Sequence, residues 1–322
     1  MITYDEAIKR CSPHLRLQLQ RTVEILVRAE KIALRYDAEN GFWLGFSGGK
    51  DSQALYHAAQ LAGVRFKAHF SPTTVDPPQV IRFIRHQYPD IVFGKVEMSI
   101  YQMAVKKKIL PTRNLRWCCA EYKEKGGAGT VTLVGVRHAE SAKRAKRQQV
   151  EVSGHKFSGS LDDFATFQEQ EIRKKYKNIN FDQWSIDQKQ TVTCISGKDK
   201  IIISPIIDWT EADVWEFLNR VVEVPHCELY DPPFNQRRIG CILCPMANKK
   251  QKIRDCQLFP YAKSNWLKTI DLLIGGGYLS QHQQDYYAKV GRGDFTETMF
   301  QWWIDGRNWD EFLADYTHPK LF

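Results

Sequence analysis

The hexapeptide Ser47-Gly48-Gly49-Lys50-Asp51-Ser52 and a set of eight cysteines are the parts of this 322-residue chain whose residue types and spacing could do chemistry. Two adjacent glycines let a backbone approach an anion closely and take conformations that a side chain forbids. If the hexapeptide turns from a strand into a helix, its amides and the helix N-terminus present positive partial charge to a phosphate. Ser47 and Ser52 add hydroxyl donors and Lys50 adds a cation. The spacing is not that of the GxxxxGK[ST] nucleotide loop. Among the cysteines, Cys241 and Cys244 form a CxxC followed by proline, Cys227 precedes them, Cys256 follows, and Cys118-Cys119 is a tandem pair. Four thiolates so grouped serve a tetrahedral zinc or an iron–sulfur cluster, and packed metal-free thiols are the alternative. Cys11 and Cys194 lack partners in the sequence and read as ordinary residues.

The elements around these residues alternate. Residues 1–38 carry helical spacing, opened by Thr3 with Glu6 and restarted at Ser12-Pro13. From residue 42 short apolar runs at 42–46, 66–70, 91–96, 130–136 and 200–207 read as strands, with helices at 51–61 and 77–88 between them. This order predicts an α/β fold: a parallel-sheet nucleotide-binding domain over 39–224 with helices on both faces. Ligands in such sheets bind beyond the carboxyl ends of the strands, which places residues 47–52, Thr73 to Asp76 and Arg137 on one edge. Residues 145–199 are polar and aperiodic, an expected insertion with one helix near 162–175. Residues 225–322 form a Cys-rich loop followed by helical patterns rich in Trp and Tyr.

SGGKDS resembles the pyrophosphate loop of the adenine-nucleotide alpha-hydrolase (PP-loop) superfamily, whose members cleave ATP between the α and β phosphates or bind adenylyl sulfates. Further segments narrow the resemblance to the phosphoadenosine phosphosulfate (PAPS) reductase-like family. Thr73-Thr74-Val75-Asp76 with Pro78 is similar to its second-strand motif; Gly135-Val136-Arg137 with Glu140, Ser141 and Arg144 to its GxRxxES..R segment; and Ser204–Trp215 to its P..DWT..DVW signature. The resemblance implies a nucleotide site built from Ser47, Gly48, Gly49, Lys50, Asp51, Ser52, Gly135, Arg137, Ser141 and Arg144, with Asp51, Asp76 and Arg137 as catalytic candidates. Arg137 and Arg144 have the fork geometry for phosphate or sulfate oxygens, although Arg144 also reads as part of a solvated basic helix. Asp76 suits magnesium or a ribose, or simply caps its loop.

The resemblance also shifts the cysteines toward [4Fe–4S], with zinc as the alternative. A tandem CC with a later CxxC resembles adenylyl-sulfate reductases, and the C…GCxxCP arrangement resembles the family branch involved in DNA phosphorothioation. The implied ligands are Cys118 or Cys119 with Cys227, Cys241 and Cys244, and Cys256 as substitute. One departure stands out: thiol-dependent reductases of the family use a cysteine in a C-terminal ECGxH segment, and here no cysteine follows Cys256.

The formal charge is +9, from 46 Lys and Arg against 37 Asp and Glu, which favours an anionic partner. Two basic runs, Arg137 to Arg147 and Arg237 to Arg254, make DNA or tRNA a candidate substrate; solvated faces are the plainer reading. No apolar run approaches the ~20 residues of a spanning helix, and the start has no apolar signal core, so a cytoplasmic enzyme with no membrane segment is expected. The expected reaction is ATP cleavage at the α phosphate, with magnesium, coupled to sulfur transfer from a sulfur-donor protein. The alternatives are a sulfonucleotide (PAPS or adenylyl sulfate) reductase with an atypical thiol and a non-catalytic nucleotide-binding regulator. The oligomeric state is left open.

Overall fold

The computed structural model describes residues 2–175, 195, 198–291 and 293–317. Cys194 and positions 176–194, 196 and 197 of the expected insertion lie outside the described residues. The chain divides into two compact units: residues 1–71, 79–94 and 125–238 form the first, and 72–78, 95–124 and 239–322 the second.

The first unit opens with helices α1 (Tyr4–Arg10) and α2 (Pro13–Tyr36). Thr3 and Glu6 close a capping box on α1, and Ser12 caps α2 ahead of Pro13. Leu15, Leu19, Leu26, Ala29 and Ala33 form the buried stripe of α2, as their spacing requires. The unit is an α/β nucleotide-binding fold around a mostly parallel seven-stranded sheet. Its strands are β1 (Phe42–Gly45), β2 (Phe66–Phe70), β3 (Val92–Phe93), β4 (Val131–Leu133), β5 (Val150–Val152), β6 (Phe157–Gly159) and β7 (Ile201–Ile203). Their order is β3-β2-β1-β4-β7-β5-β6. The first five in that order pair parallel, while β5 runs antiparallel to both β7 and β6. Helices α3 (Lys50–Leu61), α4 (Pro78–Gln87), α7 (Leu161–Lys175) and α8 (Glu211–Glu216) complete it; α4 begins at the unit boundary.

Strands β5 and β6 lie inside the polar stretch that reads as an aperiodic insertion. At three residues each they are too short to show a period of two, and pairing on the exposed side of β7 makes them strands. The strand expected over 91–96 shrinks to two residues at the sheet edge.

The second unit is helical: α5 (Ile100–Lys107), α6 (Trp117–Tyr122), α9 (Lys249–Leu258), α10 (Pro260–Leu273), α11 (Gln281–Gly291), α12 (Phe295–Asp305) and α13 (Trp309–Thr317). Its core is aromatic. Trp266 packs on Trp303 at 4.8 Å and on Tyr101 at 5.0 Å between ring centroids, and buried Trp303 donates its indole N–H to the Pro111 carbonyl at 2.7 Å. Among the described residues no helix is long and apolar enough to cross a membrane.

Candidate nucleotide site

Strand β1 ends at Gly45 and α3 starts at Lys50, so the hexapeptide is the strand-to-helix turn. Gly48 has φ +71° and an added Cβ would meet Val80 and Ile84 at 3.0–3.1 Å, so both conformation and space demand glycine. Ser52 ties the turn together: its hydroxyl accepts from the Ser47 amide at 3.1 Å and donates to the Gly49 carbonyl at 2.8 Å. Gly49 is the N-cap of α3 and offers no side-chain cap. The next amide, that of Lys50, donates instead to the Tyr230 hydroxyl at 2.8 Å.

The end of strand β4 supplies the neighbouring wall. A Cβ on Gly135 would lie 2.7 Å from the Asp51 carbonyl, so this glycine is needed for the close approach of strand end and helix start. Arg137 is buried. Its Nε donates to Asp51 Oδ1 at 2.7 Å and its Nη1 to the Trp209 carbonyl at 3.1 Å, while its backbone amide donates to Glu140. Trp209 is fixed by its indole N–H on Thr22, which donates in turn to the Pro205 carbonyl. Asp51 also faces the buried Lys50 ammonium at 3.5 Å, and Lys50 reaches the Arg237 carbonyl at 3.4 Å and Glu211 at 3.9 Å.

Ser141 accepts from the Arg144 amide and so shapes the turn after Glu140. Arg144 pairs with Glu140, which Arg238 also approaches at 3.5 Å. Burial, then the neighbouring Arg238, push the Arg144 guanidinium below its ordinary range. Arg144 is therefore a paired, half-buried cation and not a solvated one. Glu211 is shared between Lys50 and Arg237. Lys50, Arg137, Arg144, Arg237 and Arg238 thus divide three carboxylates, Asp51, Glu140 and Glu211, among them. This arrangement leaves positive charge for an anionic ligand.

Residues 41–247 match the phosphoadenosine phosphosulfate reductase domain. The chain belongs to that family. An uncharacterized protein of Methanocaldococcus jannaschii is 26% identical over 237 residues, which are 72% of this chain and 47% of the relative, so the chain spans about half the length of the curated protein it matches. Two structures of Candida glabrata FMN adenylyltransferase are 14% identical to it. One gives a TM-score of 0.43, covering 74% of this chain and 67% of that one; the other, in complex with FMN and an ATP analogue, gives 0.38 with 74% and 70%.

Of the cysteines that this phosphoadenosine phosphosulfate reductase family member carries, Cys227 is buried and belongs to the first unit, and Cys118, Cys119, Cys241, Cys244 and Cys256 belong to the second. Cys118 and Cys119 follow Trp117 in the first turn of α6 and act on each other: a hydrogen bond with Cys118, then Arg116, brings the Cys119 thiol down to about 5, and the same bond with burial pushes Cys118 up. The Lys123 ammonium donates to Cys241 Sγ at 3.2 Å and is raised chiefly by that sulfur. Thr73 Oγ1 lies 3.4 Å from the same sulfur. Burial raises Cys244 and Cys256. Asp255 holds the CxxC turn by accepting from the Leu243 amide at 2.9 Å. Asp76 is also in this unit, where it caps its loop by accepting from the Thr73 amide at 2.6 Å and adds to the negative field on Lys123.

The donor chemistry of these thiols suits a [4Fe–4S] cluster or zinc, and Cys118, Cys119, Cys241 and Cys244 lie near enough to act on one another electrostatically, although among the described residues no group of three His, Cys, Asp or Glu side chains is already placed around a metal ion. Asp51 is committed to Arg137 and Lys50, and Asp76 to its own loop. The basic run after Arg237 is also partly structural. Lys252 is buried and donates to the Trp303 and Ile304 carbonyls at the end of α12, and Lys249 pairs with Asp305. Tyr230 and Glu211 reach Lys50 although the sequence reading did not single them out. They have no periodic signature, and only folding brings them to the glycine loop.

Proposed function

We propose that the protein cleaves ATP between its α and β phosphates and couples the cleavage to sulfur transfer. The observation that carries this reading is the surplus of cations around a glycine loop at the N-terminus of α3, with buried Lys50 and Arg137 sharing Asp51. Such a site favours a polyphosphate: the loop amides and Lys50 would take the pyrophosphate that leaves, and Arg137 and Arg144 would face developing charge at the α phosphorus. An acceptor oxygen attacks that phosphorus as pyrophosphate departs, and a sulfur nucleophile then displaces AMP from the adenylated acceptor. A nucleic acid, DNA or tRNA, is the acceptor class that the net charge favours, and a sulfur-donor protein would supply the second nucleophile.

Sulfonucleotide reduction is the second reading, favoured by one observation: the Cys118–Cys119 pair beside Arg116 supplies adjacent thiols, one of them held down as a thiolate. One thiolate would attack the sulfur of a sulfonucleotide with loss of the nucleotide, and the second would release sulfite as a disulfide forms. Product analysis separates the readings. AMP and pyrophosphate from ATP support the first, sulfite from adenylyl sulfate or PAPS supports the second, and nucleotide binding without turnover leaves a regulator.

A further inference from the structure

The α3 helix is capped in an unusual way. Its N-cap residue Gly49 offers no side chain, and the Lys50 amide is satisfied by a phenol 180 positions along the chain. An amide at the first turn of a helix is one of the donors that an anion at this end of a helix would use. The same segment also takes the other donor of Lys50, since the Arg237 carbonyl lies 3.4 Å from its ammonium. Tyr230 is held by ring packing as well as by its hydroxyl. Its ring packs edge-on against Trp215 at 5.0 Å and His226 at 6.1 Å, and the Lys50 ammonium sits 5.7 Å from the ring centre. A Cβ on Gly49 would meet this hydroxyl at 3.3 Å, so the phenol oxygen lies directly over the loop backbone.

We propose that Tyr230 competes with phosphate oxygens for the loop: its hydroxyl holds the Lys50 amide, and a polyphosphate engages that amide only by displacing it. This rests on the nucleotide-loop reading above and adds to it a residue that sets affinity. The hydroxyl is a neutral acceptor, whereas a phosphate oxygen accepts as an anion and forms the stronger bond. The displacement therefore favours ligands that bring a charged oxygen to this amide and works against neutral ones. The Tyr230–Arg237 segment would move off Lys50 as the ligand enters.

Tyr230→Phe is the test, because it keeps the ring and removes only the oxygen. Calorimetric titration with inorganic pyrophosphate and with ATP is expected to show affinity about three- to tenfold tighter than wild type, the size of one net hydrogen bond no longer broken on binding. Hydrogen exchange of the peptide spanning residues 46–56 is expected to quicken in the variant and to regain full protection with saturating pyrophosphate. Equal or weaker binding by the variant, with wild type binding normally, overturns the competition and leaves the loop reading standing. Absence of pyrophosphate and ATP binding in both proteins overturns the loop reading and the competition with it. Gly49→Val in each background confirms that any binding measured is binding at the loop, and thermal unfolding confirms that each variant is folded.

Discussion

Arg137 Nε donates to Asp51 Oδ1 at 2.7 Å, joining the turn after β4 to the first turn of α3. The guanidinium is almost wholly buried and the carboxylate nearly so, so the pair is held in a medium where each charge needs the other. It also fixes the first turn of the helix whose amides face the proposed ligand.

Removing one partner should therefore be costly in two ways. Arg137→Ala is expected to lose about 3 kcal/mol of stability, because Asp51 loses its nearest cation and the buried Trp209 carbonyl its donor. ATP affinity should fall tenfold or more. Arg237→Ala, whose side chain is mostly exposed, should change stability by less than about 1 kcal/mol. Urea unfolding and calorimetric titration of the two variants check this; similar losses in both would remove the special role of the buried pair.

Gly135→Ala tests the close approach behind the site. Its new Cβ would stand 2.7 Å from the Asp51 carbonyl, backbone that has no flexible end to yield. A loss of about 1–3 kcal/mol is expected from overpacking, with weaker ATP binding because Asp51 shifts. A variant as stable as wild type would show that the strand end and α3 have room to part.

His57 should make stability depend on pH. Burial brings its imidazole down to about 4. Gln53 donates to the Tyr88 hydroxyl, whose O–H then points at His57 Nε2, and Nδ1 faces the Gln60 carbonyl oxygen, so the neutral ring is the one that fits. The unfolded chain takes up a proton near 6.5 while the folded chain resists until about 4. Stability is thus full above 6.5, is lost as the pH falls toward 4, and changes no further below that. The loss is at most about 3 kcal/mol. Denaturant titrations at pH 7.5 and 4.5 should show it, and His57→Gln should reduce it; an unchanged difference in the variant would assign the effect elsewhere.

If DNA or tRNA is the acceptor, binding should weaken steeply with salt as counterions return. Replacing Arg237 and Arg238 together with alanine should flatten that slope. Lys252→Ala should destabilise the second unit without altering the slope, since its ammonium caps α12 from a buried position. Wild-type protein that binds neither polymer at low salt would direct the search to small-molecule acceptors.

Local and repetitive signals were readable directly from the sequence. The α2 stripe, the caps at Thr3 and Ser12, the apolar strand runs and the glycine turn between β1 and α3 depend on neighbours within a few residues, and these impose period, cap chemistry and backbone freedom. The resemblance carried by SGGKDS and the later segments placed the chain in its family from the same local information. Tertiary structure alone decided what lies far apart in sequence and close in space. It put Tyr230 on the Lys50 amide, gave Asp51 to Arg137, made Lys252 a helix cap, and set Cys227 in a different unit from the CxxC turn. Those outcomes depend on long-range packing and on which buried charges must find partners. Residue spacing along the chain records neither.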